Sequence, residues 1–191
     1  MAPSAIRGRL LVANPELPDP NFDRTVVLVL AHGDDGALGV VLNRPSETGL
    51  DETLPRWEVV ASVPPVVFVG GPVSQDTVIG VGGAPDGMAA DEAAEGSGWV
   101  PITGELGTLD LQQDPDDLPA ALRGLRIFVG YAGWGPGQLE SEIAAGGWWV
   151  VDADVDDAFS EDPARLWQRV LRRQPGHLAL VSSYPADPEL N

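Results

Sequence analysis

One glycine-dense segment, Gly130-Tyr131-Ala132-Gly133-Trp134-Gly135-Pro136-Gly137-Gln138-Leu139-Glu140, holds the residue types best suited to building a binding surface. Its glycines permit positive φ and close backbone approach, and Tyr131 and Trp134 stand among them as large rings with a polar tip. The segment runs off the apolar stretch Leu125, Ile127, Phe128, Val129 and reads as a strand, a tight turn and a helix start. A strand leading through glycines into a helix N-terminus offers backbone N–H groups and a favourable dipole end, which is anion-binding chemistry. A dinucleotide fingerprint is absent: Gln138 stands where the third glycine belongs, Pro136 removes a donor, and no lysine follows Gly137. Two readings stay open, a backbone-lined pocket for a small polar ligand around Gly133, Gly135 and Gln138, and a purely structural turn.

Gln138 and Glu142 fall on one helix face, with Glu140 roughly opposite. Glu142 is a candidate general base or cation ligand, although a carboxylate early in a helix also simply favours the dipole. Asn43-Arg44-Pro45 closes an apolar strand, a common position for binding residues. Arg44 stands among apolar and glycine neighbours, where its planar fork can hold a carboxylate or phosphate of a ligand, or equally an internal acid. A second glycine turn, Gly70-Gly71-Pro72, follows another apolar stretch. His32 and His177 are the only histidines, and their spacing suggests no metal site; a turn or capping hydrogen bond suits His32. Asp152, Asp154 and Asp156 imitate the start of a calcium loop, but Asp157 and Pro163 stand where glycine and glutamate are required, so a solvated acidic turn is expected. No G-x-S-x-G elbow occurs. Arg165, Arg169, Arg172 and Arg173 form a basic stripe opposite Leu166, Trp167, Val170 and Leu171, read as a solvated face paired with nearby carboxylates.

Composition removes whole classes of chemistry. With no cysteine there is no disulfide, thiolate zinc site or thiol nucleophile, and with no lysine there is no Schiff base or phosphate-loop lysine. Eleven arginines against 29 acids give a formal charge of −18, which repels phosphate backbones, so direct nucleic-acid binding is not expected. The apolar run at residues 26–31 is too short to span a bilayer, and residues 1–20 lack a signal-peptide core; a cytoplasmic protein with no membrane contact is expected. No cofactor motif is found, and none is expected.

Strands are expected at residues 9–13, 25–31, 37–42, 66–69, 77–81, 126–129, 148–152 and 178–182, with a hairpin through a primed turn at Asp35-Gly36. Helices are expected after Pro136 up to Gly146-Gly147, after Asp162-Pro163, at 114–123 closed by Gly124, and at 51–61 with Pro55 interrupting. Residues 82–98 read as a mobile acidic loop inside a single domain spanning 1–191. Strands cluster without βαβ alternation, which indicates an α+β fold.

The glycine loop together with Gly8-Arg9-Leu10-Leu11-Val12-Ala13, residues 32–45 and Val69-Gly70-Gly71-Pro72-Val73 closely resembles the bacterial YqgE/AlgH family over nearly the whole chain. That resemblance implies mixed or antiparallel sheets that are coiled or bifurcated, with a few flanking helices. It also makes Asn43-Arg44-Pro45 a signature element and implies a role sometimes labelled transcriptional regulation, although no helix-turn-helix, zinc finger or basic arm is visible. Asn43, Arg44, Gly70, Gly71, Tyr131, Gly133, Trp134 and Gln138 are expected to surround a common cleft. Three functional readings follow: a regulatory module that binds a small ligand or a protein partner, a hydrolase-like enzyme using carboxylates near the glycine loop, and a scaffold without a ligand.

Overall fold

The computed structural model describes residues 6–84, 98–118 and 122–183. Its strands are β1 (Leu10–Ala13), β2 (Val26–Gly33), β3 (Gly36–Val41), β4 (Pro45–Gly49), β5 (Val66–Val69), β6 (Val73–Gly83), β7 (Trp99–Thr103), β8 (Leu106–Leu109), β9 (Gly124–Trp134) and β10 (Trp148–Val151). Short helices join them: α1 (Leu50–Thr53), α2 (Pro55–Glu58), α3 (Gln138–Ala144), α4 (Val155–Ala158), α5 (Leu166–Arg172) and α6 (His177–Val181). The fold is α+β, a curled, largely antiparallel sheet in the order β10-β1-β2-β3-β9-β6-β8-β7.

The unbroken apolar sequence of β2 has a structural cause: both of its faces are covered. Val26 and Leu28 pack into one core with Leu10, Val12 and helix α5, while Val27 and Val29 pack into a second with Leu11, Ala13, Trp134 and Trp148. Alternation along a strand distributes the residues between the two cores, and each buried Val or Leu contributes about 1.5–3 kcal/mol of transfer free energy. A third cluster, built on Trp57, Val67, Leu109 and Ile127, covers the other face of β9.

β9 is the strand on which the sheet forks. Residues 132–134 pair with β3, but Phe128 and Val129 pair in parallel with β5 on that same edge. The change of partner falls at Gly70, whose N–H donates to Val129 O while its carbonyl accepts from Val41 N–H. Only glycine fits there, because a Cβ on Gly70 would lie 2.3 Å from Gly130 O and one on Gly71 would lie 2.1 Å from Tyr131 C. Gly130 itself, at φ 70°, bends β9 where it leaves one branch for the other.

Several expected elements differ. Of residues 178–182, 178–181 are helical and Ser182 caps the helix: Gly176 at φ 66° turns the chain back, and Leu178 and Val181, three apart, pack as one helix face on the core beside α5. The glycine loop is not a turn directly after residue 129, because β9 continues to Trp134 through its pairing with β3. Residues 114–123 give only a 3₁₀ turn at Pro115–Asp117, capped by Asp114, with Leu118 already extended; 119–121 lie outside the described residues, and Gly124 opens β9. The β2–β3 hairpin forms with Gly33 opposite Gly36, but Asp34 and Asp35 are not at positive φ, so the turn is not a primed one. Of the expected loop at 82–98, Gly82 and Gly83 belong to β6, and 85–97 lie outside the described residues. The acidic turn is the start of α4, whose capping box joins Asp154 and Asp157. β4, β7 and β8 differ from the expected strands as well: β4 carries no apolar residue, and Pro101 and Gly107 interrupt the apolar patterns of β7 and β8. The interruption at Pro55 occurs as read, dividing α1 from α2.

Candidate functional site

The residues of the glycine segment meet at one carboxylate. Pro136 and Gly137, the latter at φ 70°, turn the chain from β9 into α3, which brings Glu142 beneath Trp134 and Trp148. Trp134 Nε1 and Trp148 Nε1 both donate to Glu142 Oε2, at 3.0 and 2.8 Å. Gln138 Nε2 donates to Oε1 at 2.9 Å, and Gln138 Oε1 in turn accepts from Gly135 N–H at 3.0 Å. Three neutral donors thus fix one carboxylate, and the shared face of Gln138 and Glu142 is what lets one helix supply both ends of the network.

Phe22 completes an aromatic wall. Its ring stacks on Trp134 at 6.1 Å between centroids and meets Trp148 edge-on at 5.3 Å, while the two indoles cross at 5.9 Å. Such pairs contribute about 0.5–1.5 kcal/mol each beyond burial and fix ring orientation. The proline-rich connection from β1 to β2 is held against the turn that follows α3 by Asn14, whose N–H donates to Gly147 O and whose Nδ2 donates to Gly146 O. Between this connection and α3 opens a cleft of about 750 Å³ lined by Asn14, Glu16, Leu17, Pro18, Asp19, Phe22, Pro72, Gly133, Trp134, Gln138, Glu142, Ala145, Gly146 and Gly147.

The structure brings Pro72, Gly133, Trp134, Gln138 and Glu142 to that cleft, with Gly135 bonded directly behind Gln138. The remaining sequence candidates lie elsewhere. Asn43 is buried and clasps β2, accepting from Val26 N–H at 2.9 Å and donating to Arg24 O at 2.8 Å. Arg44 is exposed and donates to Asp23 O rather than to an acid, and Pro45 opens β4. Gly70 and Gly71 are consumed by the fork, and Tyr131 packs on the first core. The eight-residue cleft expected from sequence is therefore replaced by one in which three of the eight, Gly133, Trp134 and Gln138, take part. Asn14, Glu16, Asp19, Phe22 and Trp148 were missed; the prolines at 15, 18 and 20 between two strands signalled an ordered connection but not where it would lie.

Two further polar centres lie outside the cleft. His32, with a side chain only 4% exposed, bonds Glu140 at 2.8 Å, so Glu140 on the far face of α3 ties the helix to β2. The Glu140 carboxylate is held below its ordinary range, first by its own backbone N–H and then by His32. Arg126, 1% exposed, lies 4.2 Å over the Phe68 ring and donates to Ser160 O and Val63 O, with desolvation pushing its pKa down to about 10. It remains charged at neutral pH, a structural cation held by carbonyls and a ring. No cluster of metal-ligating side chains is present among the described residues.

Comparison with known proteins agrees with this architecture. The AlgH-like family model matches residues 10–179. A UPF0301 protein of Streptomyces avermitilis is 52% identical over 188 residues, covering 98% of this chain and 96% of its own. One of Mycobacterium tuberculosis is 43% identical over 195 residues, covering 98% and 93%. Among solved structures, a Corynebacterium diphtheriae protein superimposes with a TM-score of 0.88 at 32% identity, covering 95% of this chain and 93% of its own. The Pseudomonas aeruginosa AlgH protein superimposes at 0.66 and 28%, covering 98% of each.

Proposed function

The chain belongs to the AlgH-like family, and we propose that it acts as a cytoplasmic binding module whose aromatic cleft takes up a small organic ligand, its occupancy being read by a protein partner. One observation carries this reading: the cleft at Trp134, Phe22 and Glu142 is preformed, of ligand size, and walled by rings with a few fixed polar groups. Binding is favoured over catalysis because Glu142 already accepts three hydrogen bonds, and among the described residues the cleft wall holds no serine, histidine or arginine, so its other carboxylates, Glu16 and Asp19, have no hydroxyl nucleophile, imidazole or guanidinium beside them. A regulatory role then requires no contact with DNA, only a surface that changes when α3 and the Asn14 connection close on a ligand.

The test is a fragment screen of neutral, anionic and cationic compounds read by indole N–H resonances. Compounds that occupy the cleft shift Trp134 and Trp148, whose N–H groups face Glu142, and leave Trp57 and Trp167, bonded to Leu111 O and Ala13 O, unmoved. A screen in which no compound of any charge moves the first pair selectively removes the binding function and leaves the fold as a scaffold.

A further inference from the structure

We infer that the ligand of this cleft is a small organic cation, bearing an alkylammonium or guanidinium head on an apolar body; the inference rests on the binding function proposed above. Among the described residues the wall carries three carboxylates, Glu16, Asp19 and Glu142, and no arginine or histidine. None of the three has a basic partner among the described residues: Glu142 accepts only from neutral indole and amide donors, and the one described bond of the Asp19 side chain is from Asn21 N–H. Three carboxylates around a concavity without a counter-ion make an electrostatic well that an anion cannot enter and a cation can.

The aromatic wall fits the same guest. A cation over the face of an aromatic ring is attracted by the ring quadrupole, most strongly when partly desolvated, and the ring of the wall that can receive it is the half-buried Phe22, backed by Trp134, which is itself 5% exposed. The ligand body then covers Leu17 and Pro72 while its head lies toward the acids. At long range the formal charge of −18 draws cations to the molecule and lowers the local concentration of anions. The basic side chain that sequence reading placed in the pocket, Arg44, is held at Asp23 O and is not part of the wall.

The experiment titrates an isosteric set, n-butylammonium, n-butylguanidinium, n-butanol and butyrate, with blocked lysine amide as a peptide-borne form of the same head group. The readouts are the Trp134 and Trp148 indole resonances and the dependence on salt. The two cations should bind more tightly than butanol, butyrate should not bind, and added salt should weaken the cations alone. In the variant combining Glu16→Gln and Asp19→Asn, cation affinity should fall about tenfold and its advantage over butanol should disappear. Asparagine caps as well as aspartate, so the turn after residue 19 survives. Tighter binding by lysine amide than by butylammonium would assign the head group to a protein side chain and leave the charge inference standing. Butanol or butyrate binding as tightly as the cations, or an unchanged cation affinity in the double variant, overturns the charge inference while the binding function stands. If no member of the set moves the two indoles and the fragment screen is silent as well, both fall.

Discussion

Glu142 is the residue on which the cleft depends, and the cost of its removal follows from what it leaves behind. Glu142→Ala orphans the N–H groups of Trp134, 5% exposed, and Trp148, 2% exposed, and an unsatisfied buried donor costs about 1–3 kcal/mol. We expect a loss of about 2–4 kcal/mol in urea unfolding, with Glu142→Gln intermediate because its carbonyl can still accept from both indoles. An alanine variant within 0.5 kcal/mol or so of the parent would mean that the network holds the rings in place without stabilising the fold. Acid sensitivity belongs to this scale too. Glu140 and Asp114 both have folded pKa values lowered, Glu140 by its own N–H and then His32, Asp114 by Asp116 N–H and then Arg56. A depressed carboxylate stabilises fully above its unfolded value and loses that contribution as pH falls through the folded one. Stability should therefore decline below the ordinary values of 4.5 and 3.8, and Glu140→Gln should flatten the upper part of that decline in denaturation midpoints measured against pH.

Elements are joined here by a few contacts that tolerate little change. α4 and α5 meet through Asp157, 2% exposed, which accepts from Arg173 at 2.6 and 2.5 Å and from Asp154 N–H at 2.9 Å. Arg173→Ala leaves that carboxylate buried with Arg169, 3.8 Å away, as its one remaining cation among the described residues. Removing one partner of a buried pair costs about 3–5 kcal/mol, and because Arg173 is one-third exposed we expect the lower end, read from urea midpoints. At the fork, Gly71→Ala places a Cβ against Tyr131 and Ala132 backbone atoms at 2.1–2.3 Å, so either β9 or the turn must move. The expected result is a loss of more than about 2 kcal/mol together with changed Trp134 resonances, since Trp134 lies on the same strand. Unchanged resonances with full stability would show that the branches are not rigidly coupled.

For the whole molecule, charge dominates. At −18 the folded chain repels itself, and screening relieves that repulsion. Raising salt from a few millimolar to about 0.15 M, where the screening length is about 8 Å, should raise the thermal midpoint. The same field should keep duplex DNA unbound in fluorescence anisotropy at physiological salt. Sequence-selective binding at nanomolar protein without a partner would overturn that expectation and make the regulatory label literal.

What the sequence determined by itself is local or summed: the charge, the absence of cysteine and lysine, the apolar strands, the break at Pro55, the start of a helix after Pro136, and the signature segments that mark the AlgH-like family. Each depends on residue type and near neighbours, which a linear chain displays. Only the tertiary structure decided the roles of the signature residues. Gly70 and Gly71 looked like binding residues and are required by a strand exchanging partners; Asn43 replaces a rung of the ladder; Arg44 stays at the surface. The cleft shows the same division, for Glu142 and Trp134 are eight residues apart, whereas Phe22 reaches Trp134, and Asn14 reaches Gly146 and Gly147, from more than a hundred residues away. Long-range convergence is fixed by how two cores share one sheet, and that depends on packing which no local pattern encodes.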